Sequence, residues 1–172
     1  MIEIPEIETE RLRLCAPAER HIEAEAEFMA SDRAKYVGGP MTMEQTWRAW
    51  ACIIGHWHMR GYGFWAVEAK DTGTYVGHVG LWCPHGWPEP EIGWSVMAAS
   101  EGKGFAQEAA LAARDFAYGI LGWTTAISLI APENARSIAL AERLGATLDG
   151  EFDHERYGRT LIYRHPSPED LK

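Results

Sequence analysis

Glu91-Ile92-Gly93-Trp94-Ser95-Val96-Met97, followed closely by Ser100-Glu101-Gly102-Lys103-Gly104-Phe105-Ala106, is an apolar run that breaks into a glycine turn. A third apolar strand is expected over 92–97. A long helix is expected from about Gly104 to Leu121, with Phe105, Ala109, Ala112, Phe116 and Ile120 as its buried stripe. Gly102 and Gly104 carry no β-carbon, so the backbone there can bend sharply and approach a bulky anion. A helix start leaves N–H groups unpaired and carries partial positive charge. Strand, glycine turn and helix N-terminus together make a cradle for a pyrophosphate. The same arrangement also serves simply to join a strand to a helix.

Two other phosphate motifs are absent. A P-loop needs Gly-Lys-Ser/Thr, and Lys103 is followed by Gly104 and Phe105. The dinucleotide fingerprint needs a third glycine where Gln107 stands.

Working outward, Glu10 to Leu14 alternates charged and apolar residues, the period of a half-buried strand. Pro17 opens a helical stretch to about Ala30 with Ile22, Ala26 and Met29 on one stripe. Gly38-Gly39-Pro40 is a break. Thr42 and Gln45 form a capping-box pattern for a helix over 43–59, with Trp47, Trp50, Ile54 and Trp57 at helical spacing. These tryptophans read as core. Phe64 to Val67 and Tyr75 to Trp82 flank Asp71-Thr72-Gly73 and predict a hairpin. Pro84 to Pro90 is a loop. A strand follows over 123–130, then a short helix from Asn134 that Gly145 ends, then strands at Phe152 and over 160–163. The order is β-α-α-β-β-β-α-β-α-β-β. One domain is expected over 1–172, with a polar tail over 166–172.

Composition narrows the function. The 172 residues carry a net charge of −9. That argues against gripping a nucleic-acid backbone, which needs clustered positive charge, and suits a small cation better. No run is long and apolar enough for a membrane span, and no basic-then-apolar leader opens the chain. Cys15, Cys52 and Cys83 form no CxxC pair, so they read as small core residues in a reducing cytoplasm. His56 and His58 do not share a helix face, so no metal site is expected.

A second motif is Ala131-Pro132-Glu133-Asn134-Ala135-Arg136-Ser137. Asn134 reads as an N-cap, with Ser137 at the third helical position. Both also suit a ligand lying between two strands.

The run from Glu91 to Trp94, the turn from Glu101 to Ala109, and Asn134 to Ala146 resemble, in that order, the GNAT acetyltransferase superfamily. The likeness is greatest to the branch containing ribosomal-protein N-terminal acetyltransferases, which the opening Ile7 to Leu14 also resembles. The resemblance implies a single mixed α/β (α+β) domain. Its sheet would be twisted and mostly antiparallel, with splayed middle strands and flanking helices. It implies acetyl-CoA as co-substrate, entering between the strand ending near Met97 and the strand over 125–130. Val96 and Met97 would pair with the pantetheine arm. Gly102, Lys103, Gly104, Phe105 and Ala106 would hold the pyrophosphate, and Asn134 and Ser137 would lie near the thiol. Dimers are common among relatives, so a homodimer is compatible. The family's loop usually begins with Gln or Arg where this chain has Glu101, which is expected to point to solvent.

The implied reaction is direct attack of a primary amine, on a protein N-terminus or a small molecule, in a ternary complex. An alternative is a CoA-binding sensor or interaction module without catalysis, and a longer acyl donor is a further variant. The amine must lose a proton, since a lysine-like amine is mostly charged near neutrality. Glu91 is the first candidate for the base, beside the reading of a solvent-facing carboxylate. A backbone N–H near Met97 is the expected oxyanion donor. Ser137 is the candidate donor on the thiol side. The carboxylate and tyrosine other members use fall at Leu129 and Ala141 here, so neither role carries over. Trp82, Trp87 and Trp94 flank the proline loop and form a candidate aromatic wall. Glu155 and Tyr157 fall near the site by position alone.

Overall fold

A computed structural model describes residues 3–172. The elements run β1 (Ile7–Glu8), β2 (Leu12–Cys15), α1 (Ile22–Met29), α2 (Met43–Arg60), β3 (Phe64–Ala69), β4 (Tyr75–Trp82), β5 (Glu91–Val96), α3 (Phe105–Gly119), β6 (Ile127–Ile130), α4 (Ala135–Arg143), β7 (Thr147–His154) and β8 (Gly158–Arg164). The expected order holds, with the two-residue β1 added. The sheet order is β1-β2-β3-β4-β5-β6-β8-β7. Every neighbour pair is antiparallel except β5 and β6, which α3 connects. Parallel neighbours need such a crossover, whereas antiparallel ones need only a turn.

Alternation along the strands divides the core between two faces. Trp65 and Val67 of β3 join Leu12, Leu14, Val79, Leu81 and Ile92 in the cluster that α3 covers. Ala66 between them joins Cys15, Trp50 and Ile53 under α2. Trp57 and Trp65 meet edge to face at 4.8 Å, and their indole N–H groups donate to Phe64 and Pro5 carbonyls. Gly63 permits this approach, since a Cβ there would lie 2.6 Å from the Trp57 ring.

Thr42 and Gln45 exchange the expected cap bonds at 3.2 and 2.9 Å. Other expectations change. Trp47 and Ile54 are exposed, and the buried stripe of α2 is Trp50, Ile53 and Trp57. The buried face of α3 is Ala109, Ala110, Ala113 and Ala117, while Ile120 is exposed. Small alanines let the helix lie close to the sheet, so the large residues are left at its flanks. The strand expected over 123–130 pairs only from Ile127, and Trp123 instead packs edge-on to Tyr62 at 5.0 Å. Cys52 is exposed and Cys83 half-buried, so only Cys15 is a core cysteine. No helix among the described residues is long and apolar enough to cross a membrane.

Candidate active site

β5 and β6 share one register pair, Glu91 with Ile127, and then diverge. Side chains take over the bonds that the ladder gives up. Glu91 Oε1 accepts the Leu129 N–H at 3.0 Å. Ser128 Oγ donates to the Ile92 carbonyl at 2.6 Å. Each bridge is itself braced: the Trp87 indole N–H donates to Glu91 Oε2 at 2.6 Å, and His165 Nε2 meets Ser128 Oγ at 2.9 Å. Because the serine proton is committed to a carbonyl, the histidine must be the donor, which assigns its tautomer. Burial then pushes the His165 imidazole down to about 3, and its Nδ1 has no partner.

Glu91 is buried rather than solvent-facing. Burial drives its carboxyl up to about 7, against the pull of the Leu129 and Trp87 hydrogen bonds. It lines a cavity of about 890 Å³ together with Trp82, Trp87, Trp94, Asn134 and Ser137, so the candidate aromatic wall and the two α4 candidates meet there. Asn134 Oδ1 accepts the Ser137 N–H at 3.3 Å, an ordinary cap. The Trp94 indole donates to Ser137 Oγ at 3.2 Å, leaving the serine's own proton free to be donated.

At the far end of β5, the Met97 N–H bonds the Val76 carbonyl at 2.8 Å. That amide is therefore spent, against the expectation of a free donor. Antiparallel bonding alternates along a strand, so Trp94 and Val96 turn their backbone groups toward the opening instead. The glycine turn follows. Gly102 and Gly104 have φ of 71° and 78°, the left-handed region that glycine enters without penalty. Among the described residues, the six successive N–H groups from Gly102 to Gln107 reach no acceptor. Arg11 braces the turn by donating to the Lys103 carbonyl at 2.8 Å and to Glu108 at 2.7 Å. Glu101 does not point free into solvent: Arg33 and Arg136 both pair with it. The repulsion expected between Glu101 and a bound anion is thereby offset by two cations.

Lys103 and Phe105 line a separate cleft with Arg11 and Lys70, while Arg136 of α4, beside the cavity-lining Ser137, pairs with Glu101 at the start of the turn.

Sequence reasoning placed Tyr157 near the site by position alone and passed over two features, its neighbour His154 and a charge cluster around Glu68. His154 and Tyr157 of the β7–β8 hairpin close the cavity against Trp87, with ring centroids 5.0 and 5.9 Å away. Glu155 does not line it. Only the fold brings this hairpin beside the loop before β5. The second feature lies on β3. Glu68 takes Arg13, Arg20 and His21, which hold its carboxyl down to about 2. Cys15, His21 and Glu68 place ligand-type atoms within 4.8 Å of one another, but two guanidinium groups already occupy that carboxylate and oppose a cation there.

The acetyltransferase (GNAT) domain family matches residues 11–147. The uncharacterized protein YkkB of Bacillus subtilis (strain 168) is 33% identical over 126 residues, covering 69% of this chain and 70% of that protein. A crystal structure of an acetyltransferase from Agrobacterium tumefaciens str. C58 is 37% identical, covers 96% of both chains and superposes with a TM-score of 0.88. The ribosomal-protein-S5-alanine acetyltransferase of Vibrio fischeri shares the fold at 16% identity, covering 96% of this chain and 98% of that one with a TM-score of 0.72.

Proposed function

The chain belongs to the GNAT acetyltransferase family, and from that premise we propose that it transfers an acetyl group from acetyl-CoA to a primary amine. The observation that carries the reading is the run of six amides at the mouth of α3 that reach no acceptor among the described residues, following a strand, β5, whose start carries a buried carboxylate. Amides in that number, with a helix dipole behind them, fit a diphosphate. Val96 and Trp94 offer backbone groups to an amide-bearing arm along the opening. Bound acetyl-CoA supplies an activated thioester, so no protein nucleophile is needed.

The chain's own residues supply the rest. Glu91 takes the proton of the incoming amine, directly or through one water, and its pKa near 7 suits a base at neutral pH. Burial of the cavity wall also disfavours a charged amine. Ser137, with its proton free, donates toward the departing sulfur. Trp87 fixes the orientation of Glu91.

The test measures free thiol release from acetyl-CoA over a panel of primary amines and peptides with free N-termini. Turnover that requires an amine supports transfer. Tight CoA binding with no turnover on any of them would favour a binding module instead.

A further inference from the structure

Glu25, on α1, is 3% exposed and lines the same cavity as Glu91. Its Oε2 accepts from the Tyr75 hydroxyl at 2.8 Å and lies 3.4 Å from His78 Nδ1. No hydrogen bond among the described residues reaches its Oε1. That oxygen keeps accessible surface in the cavity, so it is open to a donor that a ligand brings.

An aromatic floor joins the two carboxylates. His78 and Trp82 lie on one face of β4, and the Phe64 ring spans them with centroids 5.1 and 5.2 Å away. Gly93, paired with Gly80 of β4, makes room for that ring, since a Cβ there would lie 2.8 Å from it. Trp82 pairs with Glu91, and His78 touches Glu25. The two ends are therefore four strand steps apart, roughly 13 Å. Lys35 and Arg156 also line the cavity, but both are exposed and lie over the Tyr36 and Tyr157 rings.

Resting on the transfer reading above, we propose that the acceptor is an amine carrying a second cationic group, and that Glu25 is the residue that anchors it. The reacting nitrogen lies at Glu91, a methylene chain crosses Trp82, Phe64 and His78, and the distal ammonium reaches Glu25 Oε1. An ammonium there gains a charge-assisted hydrogen bond and the faces of neighbouring rings.

Titration calorimetry of the CoA-loaded protein with α,ω-diaminooctane and with octylamine reads this without requiring turnover. The diamine is expected to bind at least tenfold more tightly, and Glu25→Gln to bring the two within about twofold. Diaminobutane, too short to span, is expected to gain nothing over butylamine. Equal binding of the octyl pair would overturn the proposal. So would an advantage that survives Glu25→Gln, or one that is the same at both chain lengths, which would reflect bulk charge. The length series decides the matter on the unaltered protein should the variant not fold. Kinetics separate the two readings. A diamine advantage with no acetylation of any amine would sink the transfer and keep the anchor. Turnover with equal KM for diamine and monoamine would sink the anchor alone.

Discussion

The Glu91 carboxylate accepts the Leu129 amide proton at 3.0 Å, across the gap where two parallel strands have stopped pairing. A base candidate is thus also a structural bridge. The same burial that lets it span the strands raises its pKa into the working range of a base.

Glu91→Gln is expected to remove the acidic limb of the pH profile. In the unaltered protein kcat/KM should rise as pH climbs through about 7 and Glu91 deprotonates. The variant should lose at least tenfold at neutral pH and less at high pH, where the amine is already neutral. A uniform small loss across the range would remove Glu91 from the proton-transfer role.

The same residue governs a pH window of stability. Its folded pKa lies above the ordinary value, so the native state holds the proton more tightly. That contribution is fully present below pH 4.5 and is lost as pH rises through about 7. His165 acts in the opposite sense: its depressed pKa gives stability that is present above 6.5 and lost as pH falls toward about 3. Denaturant titrations at several pH values should show the first slope vanish in Glu91→Gln and the second in His165→Asn.

Gly104→Val tests the cradle. A Cβ at that position would meet only Arg11 Nη2, at 3.4 Å, so the fold has room for it. The φ of 78° makes any β-carbon cost about 1–2 kcal/mol of stability. The side chain would also stand where a diphosphate must approach, and CoA affinity should fall at least tenfold. Calorimetry with CoA on the folded variant checks this, and unchanged affinity would place the cofactor elsewhere.

Ser137→Ala removes the proton proposed for the leaving sulfur while keeping the helix cap, which uses the Ser137 backbone N–H. It should lower kcat about tenfold with little change in CoA affinity. Equal kcat would assign the hydroxyl to holding Trp94 alone.

Glu68→Gln probes the charge cluster on β3. It leaves Arg13, Arg20 and His21 facing one another without the carboxylate. The two arginines are about half exposed, which reduces the penalty to about 2 kcal/mol. The depressed pKa makes the stabilisation present above pH 4.5 and lost as pH falls toward about 2, so the variant should differ from the parent at pH 7 and converge with it in acid.

The local pattern of the chain determined its elements. Thr42 and Gln45 announced α2, Gly145 ended α4, and the two glycines at 102 and 104 marked the turn before α3, because caps and left-handed turns depend on residues a few positions apart. Ordered motifs also carried the family. Packing had to decide the rest. Which residues of α2 and α3 face inward depends on how closely each helix approaches the sheet, and that exposed Trp47 and Ile120. Whether Glu91 meets water or an amide depends on Leu129, 38 positions away, and on a strand that diverges after one pair. Glu25 of α1 and the pair His154 and Tyr157 of the β7–β8 hairpin come to the cavity from parts of the chain that no spacing in the sequence links. Periodicity records the environment along one element, whereas a cleft is made by side chains of several elements whose separation is set only when the sheet is assembled.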